Sequence, residues 1–269
     1  MITGFDDEGT LLEKIQQTSR RDICLFSKSR LERQVYKAFF HKRNDKKIKK
    51  NFGKDDPPPD FILPDFSMMA DMIQINDYET KHVRKNGEVY YRNDLKQEEN
   101  RAYCNFMRTQ GLEQYPGDMV HIVANPPGAA YFKYHNGFSR AVKEHASKIN
   151  SVYKKNFPQC DKVGFIIFDD SHFYLHNIKG NVFRPHLVYR DYEFLKVIKE
   201  SGAQFVIWFF SNKIIYTKTN PLRVFPSVVI IDVDKIDLAS AIHYKKEFLI
   251  CAELTDRGCE SLVSIFRKE

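Results

Sequence analysis

The stretch "KVGFIIFDD" (162–170) decides the fold class, because its middle is apolar without interruption from Val163 to Phe168. A strand with one face in water alternates apolar and polar side chains, whereas a strand covered on both faces is continuously apolar. Both faces of such a strand are usually covered by helices. The stretch therefore predicts an interior strand of a sheet that helices flank.

The segment that leads into this strand predicts a long amphipathic helix. In "FSRAVKEHASKINSVYKKNF" (138–157) the apolar positions recur at helical spacing. The residues on or near one face are Phe138, Val142, His145, Ile149, Val152 and Phe157.

The alternation of helices and strands continues toward the C-terminus. The predicted segments are a helix at 191–201, strands at 203–210, 213–219 and 227–234, a short helix at 236–243 and a strand at 246–254. Strands that alternate with helices indicate an α/β fold. We therefore predict a mixed central sheet flanked by helices.

The N-terminal half adds helices, strands and a hairpin. Helices are predicted at 10–18 and within "SKSRLERQVYKAFFHKR" (27–43), where Ser29 and Glu32 have the spacing of a capping box. Strands are predicted at 61–66, 68–76 and 119–124, and a hairpin is predicted around Asn86-Gly87. No linker is pronounced enough to divide the chain, so we expect a single α/β domain over residues 1–269.

Composition points to a globular protein with a polyanionic partner. The chain has 269 residues, of which 42% are apolar and 14% aromatic, and its net charge is +7. An excess of positive charge favours nucleic acid, DNA or RNA, as the partner. The densest basic run lies in "HKRNDKKIKKNFGKDDPPPD" (41–60), an exposed connection closed by prolines. Its candidate nucleic-acid-binding residues are Lys42, Arg43, Lys46, Lys47, Lys49 and Lys50.

The cysteines and the apolar runs indicate a cytoplasmic protein. The 5 cysteines are widely spread and contain no C-x-x-C pair, so neither a disulfide framework nor a zinc knuckle is indicated. The N-terminus lacks the apolar core of a signal peptide, and no run is long enough to span a bilayer. We expect a soluble protein without membrane contact, and the sequence leaves its oligomeric state open.

Two acids stand among apolar residues in "FILPDFSMMADMIQINDYE" (61–79), namely Asp65 and Asp71. A carboxylate that loses its water costs several kcal/mol unless a donor, a cation or a metal compensates it. Carboxylates that converge on one point repel each other, and a hard cation such as Mg²⁺ relieves that repulsion. Either these acids face solvent or something positive meets them.

The order of elements around these acids resembles the core of the PD-(D/E)xK nuclease superfamily. A helix with Glu32, a strand, Pro64-Asp65, a strand with Asp71, hairpin material, a long helix and a buried strand follow one another over roughly residues 27–170. The resemblance implies a restriction-endonuclease-like core, with residues 171–269 as an α/β extension. It also implies hydrolysis of phosphodiester bonds, with Asp65 and Asp71 as ligands of Mg²⁺ and Glu32 as the acid on the helix.

The catalytic lysine of that superfamily is missing from its expected place. Ile73 stands two residues after Asp71. Lys143 is the candidate replacement, with Lys148 or Lys81 as alternatives. Otherwise the chain is a non-catalytic module of the same fold that binds nucleic acid or a protein.

The candidate acids could also have purely structural roles, and two other groups of acids could form a site instead. Asp65 could cap a turn, and Glu32 could serve only the capping box. Asp169 and Asp170 end the central strand, and a second acidic cluster lies at Asp232, Asp234 and Asp237. Acids at the carboxyl ends of strands are where open α/β sheets place ligand sites, so a third reading is an enzyme that acts there on a small phosphorylated substrate. No P-loop, G-x-S-x-G or H-E-x-x-H motif occurs.

Overall fold

A computed structural model gives the fold of most of the chain. It describes residues 8–41, 48–50, 58–75, 80–83, 89–92, 129–169, 171, 173–179, 182–210, 214–216, 221–223 and 226–252. The helices are α1 (Glu8–Gln16), α2 (Arg30–Phe40), α3 (Ala129–Lys148), a π-helical segment (Ile149–Tyr153), α4 (Lys154–Asn156) and α5 (Tyr192–Glu200). The strands are β1 (Ile23–Leu25), β2 (Lys49–Lys50), β3 (Phe61–Leu63), β4 (Met68–Ile75), β5 (Thr80–Val83), β6 (Val89–Arg92), β7 (Lys162–Asp169), β8 (Phe173–Lys179), β9 (Val182–Pro185), β10 (Phe205–Phe210), β11 (Ile214–Tyr216), β12 (Pro221–Arg223), β13 (Val228–Asp232) and β14 (Leu249–Ala252).

A seven-stranded mixed sheet forms the centre, in the order β1-β13-β10-β7-β4-β3-β2. Strand β7 lies in the middle and runs parallel to both β4 and β10. The chain reverses between β2, β3 and β4 and again between β10 and β13. The predicted α/β class with a mixed central sheet is thereby confirmed.

Helices cover both faces of this sheet, and each face has its own apolar core. On the α3 face, Phe138 and Val142 of α3 pack with Phe194 of α5 and with Val163 and Phe165 of β7. On the α2 face, Leu12 of α1 and Phe39 of α2 pack with strand residues. Burial on both faces explains why β7 is continuously apolar. Alternate side chains of the central strands point into one core or the other.

Strand β4 distributes its residues between these two cores by strict alternation. Met68, Ala70 and Met72 belong to the core on the α2 face. Met69 and Ile73 belong to the core on the α3 face. Because neighbouring side chains of a strand point to opposite faces, Asp71 lies on the α3 face.

The start of α2 follows from its capping residues. The Ser29 side chain accepts a hydrogen bond from the Glu32 amide at 3.1 Å, as the predicted capping box requires. The Glu32 side chain does not return to Ser29, because it binds the amide of Ser27 at 2.9 Å instead. The box is therefore half formed, and the Glu32 carboxylate holds the loop between β1 and α2.

Within the described residues, three smaller sheets lie outside the central one. The hairpin predicted around Asn86-Gly87 is confirmed by the antiparallel pairing of β5 with β6, although the turn itself lies outside the described residues. Strands β14, β8 and β9 form a three-stranded sheet, and β11 pairs with β12. The predicted strand at 119–124 lies outside the described residues. The helix predicted at 236–243 is a single 3-10 turn, Leu238–Ser240.

Candidate functional site

The candidate site is centred on Asp71, which lies in the middle of β4 and is 2% exposed. Its Oδ2 atom accepts a hydrogen bond from Nδ1 of His145 and another from the hydroxyl of Tyr153. Both donors come from the helical segment that covers the α3 face. A buried carboxylate with two donors on one oxygen is held in a fixed orientation, and neither donor uses Oδ1.

Asp60 is the second carboxyl group of the site. In the antiparallel ladder, Phe61 of β3 pairs with Ala70 of β4, so the next position places Asp60 opposite Asp71. The Asp60 Oδ2 atom accepts a hydrogen bond from the Met72 amide at 2.6 Å, which fixes its carboxyl group at this ladder position. The Asp60 side chain also contributes to lowering the pKa of Asp71. Two carboxylates at facing positions of neighbouring strands repel each other unless a proton or a cation lies between them.

The π-helical segment Ile149–Tyr153 brings Tyr153 to Asp71. In a regular α-helix, the residue seven positions after His145 is Val152, which would point within about 20° of His145, and Tyr153 would point about 80° away. A π-turn inserts one extra residue, so Tyr153 takes the place expected for Val152. Tyr153 is accordingly buried and Val152 is only half-buried.

Opposing influences set the ionisation of Asp71. Burial raises its pKa, but the hydrogen bond and charge of His145, the hydrogen bond of Tyr153 and the nearby Asp60 side chain lower it by more. The resulting pKa lies below the usual value for an aspartate. Burial, followed by the charge of Asp71, also raises the pKa of Tyr153, which keeps that hydroxyl protonated as a donor.

Glu32 lies far from Asp71, on the opposite face of the sheet. Its carboxylate is completely buried and accepts hydrogen bonds from the Ser27 amide, the Ser27 hydroxyl and the Asp232 amide at 2.7 to 3.1 Å. Asp232 ends β13, which is three strand spacings, or about 14 Å, from β4. Glu32 therefore serves the loops at the end of β1 and β13.

Asp65 is also separated from Asp71. It lies exposed in the 3-10 turn Pro64–Phe66, which links β3 to β4. Asp71 comes three residues after Met68, the first residue of β4, which corresponds to about 10 Å of strand. Of the two Pro-Asp steps in the sequence, the earlier one, Pro59-Asp60, is thus the one beside Asp71. The antiparallel register is the signal that distinguishes the two, and it requires knowing where β3 begins.

Two of the three lysine candidates lie on α3, on different sides of the helix. Lys143 is exposed and lies two residues before His145, which places it about 200° around the helix. Lys148 is half-buried, lies about 60° from His145 and forms a 3.7 Å ion pair with Glu144. Lys81 lies in β5. Ile73, at the place where the resembling family has lysine, is buried in the core on the α3 face.

Only the end of the basic run is described. Lys42, Arg43, Lys46 and Lys47 lie outside the described residues. Lys49 and Lys50 form β2 at one edge of the sheet, and both are exposed. Lys50 makes a 3.3 Å ion pair with Glu13, and surface pairs of this kind contribute little to stability.

Two further buried carboxylates on the α3 face have complete sets of donors. Asp169 accepts hydrogen bonds from the Tyr134 hydroxyl, from Trp208 Nε1 at 3.0 Å and from the Ser171 amide and hydroxyl. Asp191 accepts from the Tyr131 hydroxyl at 3.0 Å, from His186 Nε2 at 2.6 Å and from the Glu193 amide. Helix α3 and its π-helical extension thus give one tyrosine hydroxyl to each of three carboxylates. Asp170 lies outside the described residues.

The donor set at Asp71 fits a hard cation only as a partial ligand shell. Among the residues that the structure describes, no three His, Cys, Asp or Glu side chains stand close enough to hold a metal together. Asp60 and Asp71 provide two carboxyl groups from neighbouring strands. Mg²⁺ is commonly bound by one or two carboxylates, with water and substrate oxygens completing the shell, so this pair is compatible with it.

Comparison with family models, with curated proteins and with solved structures found no match for this chain. Within the described ranges, no helix has both the length and the apolar character that a bilayer crossing requires.

Proposed function

We propose that this chain is a metal-dependent phosphodiesterase that cleaves nucleic acid and that it has a restriction-endonuclease-like core. The succession α2, β2, β3, β4, α3 and β7 supports this proposal, because it matches the order of elements expected for that core. Strand β7 pairs in parallel with β4, and α3 lies between them in the chain.

The observation that carries the proposal is the meeting of Asp60 and Asp71 on neighbouring strands. Two acids at facing positions of neighbouring strands repel each other when both are ionised, so the fully charged pair needs a compensating group. A cation bound between Asp60 and Asp71 would offset the repulsion between their carboxylates. We therefore assign Asp60, in place of Asp65, as the partner of Asp71.

These residues would hold Mg²⁺, which when bound would stabilise the charge on a phosphodiester and lower the pKa of a bound water. His145 and Tyr153 hold Asp71 through Oδ2, so Oδ1 keeps a fixed direction. The Met72 amide does the same for Asp60. Partners that orient metal-binding groups typically change affinity or activity 10–100-fold when they are removed.

A cleavage assay with matched substitutions tests the proposal. The purified chain is incubated with single- and double-stranded DNA and RNA in the presence of Mg²⁺, Mn²⁺ or EDTA. We expect metal-dependent cleavage that falls roughly 100-fold or more in Asp60→Asn and in Asp71→Asn, because each change removes one anionic ligand. Asp65→Asn, an exposed change of the same type, is expected to leave cleavage intact.

The result for Asp65→Asn also decides between the two acid pairs. Loss of cleavage in Asp65→Asn with retention in Asp60→Asn would restore the pair suggested by the sequence. Cleavage that survives in both Asp60→Asn and Asp71→Asn would overturn the proposal. Thermal melts of all three variants identify any loss that comes from unfolding.

A second candidate function is a non-catalytic module that binds nucleic acid. This function is favoured by Ile73, which stands where the resembling family has its catalytic lysine. Ile73 is buried in the core, so β4 supplies no lysine at that position. This alternative predicts salt-sensitive binding of DNA or RNA that is the same in EDTA and in Mg²⁺, without cleavage. Binding that requires Mg²⁺ and the Asp60–Asp71 pair would exclude it.

A further inference from the structure

A cleft of about 520 Å³, lined mainly by the stems and ends of polar and charged residues, opens on the α2 face, away from Asp71. It lies where α2 begins and where β7 and β10 begin and β13 ends. Its walls come from α2, from the first residue of β7 and from the turn after β13. The lining residues are Ser29, Arg30, Leu31, Gln34, Lys162, Gln204, Asp232, Asp234 and Lys235.

The Asp232 carboxylate is the most unusual group in this cleft. The residue is 5% exposed, and its amide donates to Glu32. No described residue gives its side chain a hydrogen bond or an ion pair, yet its oxygens are not among the fully enclosed unpartnered atoms. They therefore open onto the cleft. A carboxylate that is largely removed from water and lacks donors is normally compensated by something outside the chain.

Three cations line the same cleft without neutralising Asp232. Arg30 and Lys235 form no ion pair within the described part of the chain. Lys162 makes a 3.1 Å pair with its exposed neighbour Asp161. The start of α2 adds backbone amides that favour an anion, and the Ser29 hydroxyl already serves the Glu32 amide.

This mixture of charges restricts the kind of ligand that fits. A simple anion would be repelled by Asp232 and Asp234. A simple cation would be repelled by Arg30, Lys162 and Lys235. A molecule with hydrogen-bond donors at one end and a phosphate at the other satisfies both sets. Gln204 does not contribute freely, because its side chain already binds the Val163 amide at 2.7 Å and the Asp161 carbonyl at 3.0 Å.

We propose that the cleft binds a guanine nucleotide, with the base on Asp232 and the phosphate on the cations at the start of α2. The N1–H and the 2-amino group of guanine are adjacent donors that match the two oxygens of one carboxylate. Adenine presents one donor beside an acceptor, and hypoxanthine lacks the amino group. The site is independent of the Asp60–Asp71 pair, since the two lie on opposite faces of the sheet.

Calorimetric titration with GMP in EDTA tests the proposal on the intact chain. We expect saturable binding, with IMP and AMP weaker. Asp232→Asn should weaken GMP binding about tenfold or more, because it removes the charged acceptor, and should improve binding of XMP, whose 2-oxo group accepts a bond from the amide. Arg30→Gln should weaken GMP while leaving guanosine unchanged.

Two controls isolate the site. Asp237→Asn, an identical change in the next turn outside the cleft, should bind GMP as the unmodified chain does. Asp71→Asn should also bind GMP normally, even if it abolishes cleavage. No saturable binding of GMP, equal binding of GMP and AMP, or GMP binding that ignores both Asp232→Asn and Arg30→Gln would overturn the proposal. Arg30 is exposed, so its variant keeps the test decisive if Asp232→Asn fails to fold.

Discussion

At Asp71, burial and hydrogen bonding act on the same carboxyl group in opposite directions. Burial disfavours the charged form, whereas His145, Tyr153 and Asp60 favour it by more, so the pKa in the folded state lies below that in the unfolded state. A depressed pKa means that folding favours the charged form. This contribution is present above the unfolded-state pKa and disappears as the pH falls through the folded-state pKa.

The effect on stability can be measured by chemical unfolding in EDTA. We expect Asp71→Asn to lower the free energy of unfolding by about 1–3 kcal/mol at neutral pH, because it removes the charged acceptor of two hydrogen bonds. The difference from the unmodified chain should shrink as the pH falls below the usual range for aspartate. Asp65→Asn, at an exposed turn, is the matched control. A difference that stayed constant or grew in acid would contradict the assignment.

At the scale of single residues, the sequence identified Asp71 but not its partners. An acid inside an apolar strand is visible as a pattern, and the cost of burying it predicts that something compensates it. The partners depend on how elements meet. His145 is 74 positions away in the chain, and Asp60 is identified only by the strand register. Glu32 was visible as part of a capping box, and its bond to the Asp232 amide spans 200 positions.

At the scale of elements, the π-helical segment marks a limit of sequence patterns. The regular period predicted Val152 on the apolar face of the helix, and the structure buries Tyr153 there. One extra residue shifts every later position by about 100°. The local sequence "INSVY" (149–153) does not indicate this shift. A physical reason for it is that the buried Asp71 carboxylate needs a hydrogen-bond donor, which Tyr153 provides.

Gly164 in β7 provides an element-scale prediction. A Cβ atom at this position would come within 2.3 Å of the ring of Phe205 on β10, which is buried against Phe39. We expect Gly164→Ala to lower the free energy of unfolding by about 1–3 kcal/mol, because the ring has little space to move. Urea unfolding provides the measurement.

The double variant Gly164→Ala with Phe205→Leu separates overpacking from other causes. The smaller side chain should tolerate the added methyl group, so the cost of Gly164→Ala should be smaller in the Phe205→Leu background. Equal costs in both backgrounds would show that the Phe205 ring is not the obstacle.

At the scale of the whole molecule, the fold class was predictable and the arrangement of the sheet was only partly so. Continuous apolar runs identified β7, β10 and β13 because burial on both faces leaves a one-dimensional pattern. Strand β1 has 3 residues, and β8 contains the polar residues His176 and Asn177 among apolar ones, so neither produces such a pattern. The sheet order depends on contacts between distant segments, which periodicity does not encode.

The net charge of +7 leads to a prediction about salt. If Lys49 contacts a phosphate, Lys49→Glu should weaken nucleic-acid binding and reduce the slope of log affinity against log salt by about 0.7–0.9. Lys196→Glu, an equal change of charge at an exposed position of α5, is the control. Fluorescence anisotropy at several salt concentrations gives both slopes. Equal slopes for the two variants would remove β2 from the proposed interface.

The three tyrosine–carboxylate bonds of α3 have a consequence for how the molecule assembles. Tyr131, Tyr134 and Tyr153 span about 33 Å of helix and reach acids on three different elements. Apolar contacts alone would tolerate a helix that slides by a turn, but a slipped helix would take His145 and Tyr153 away from Asp71 and one tyrosine donor each from Asp169 and Asp191. These hydrogen bonds therefore fix the position of the helix along its own axis. Docking of α3 should be all-or-none, and its amide protons should exchange together when the protein opens.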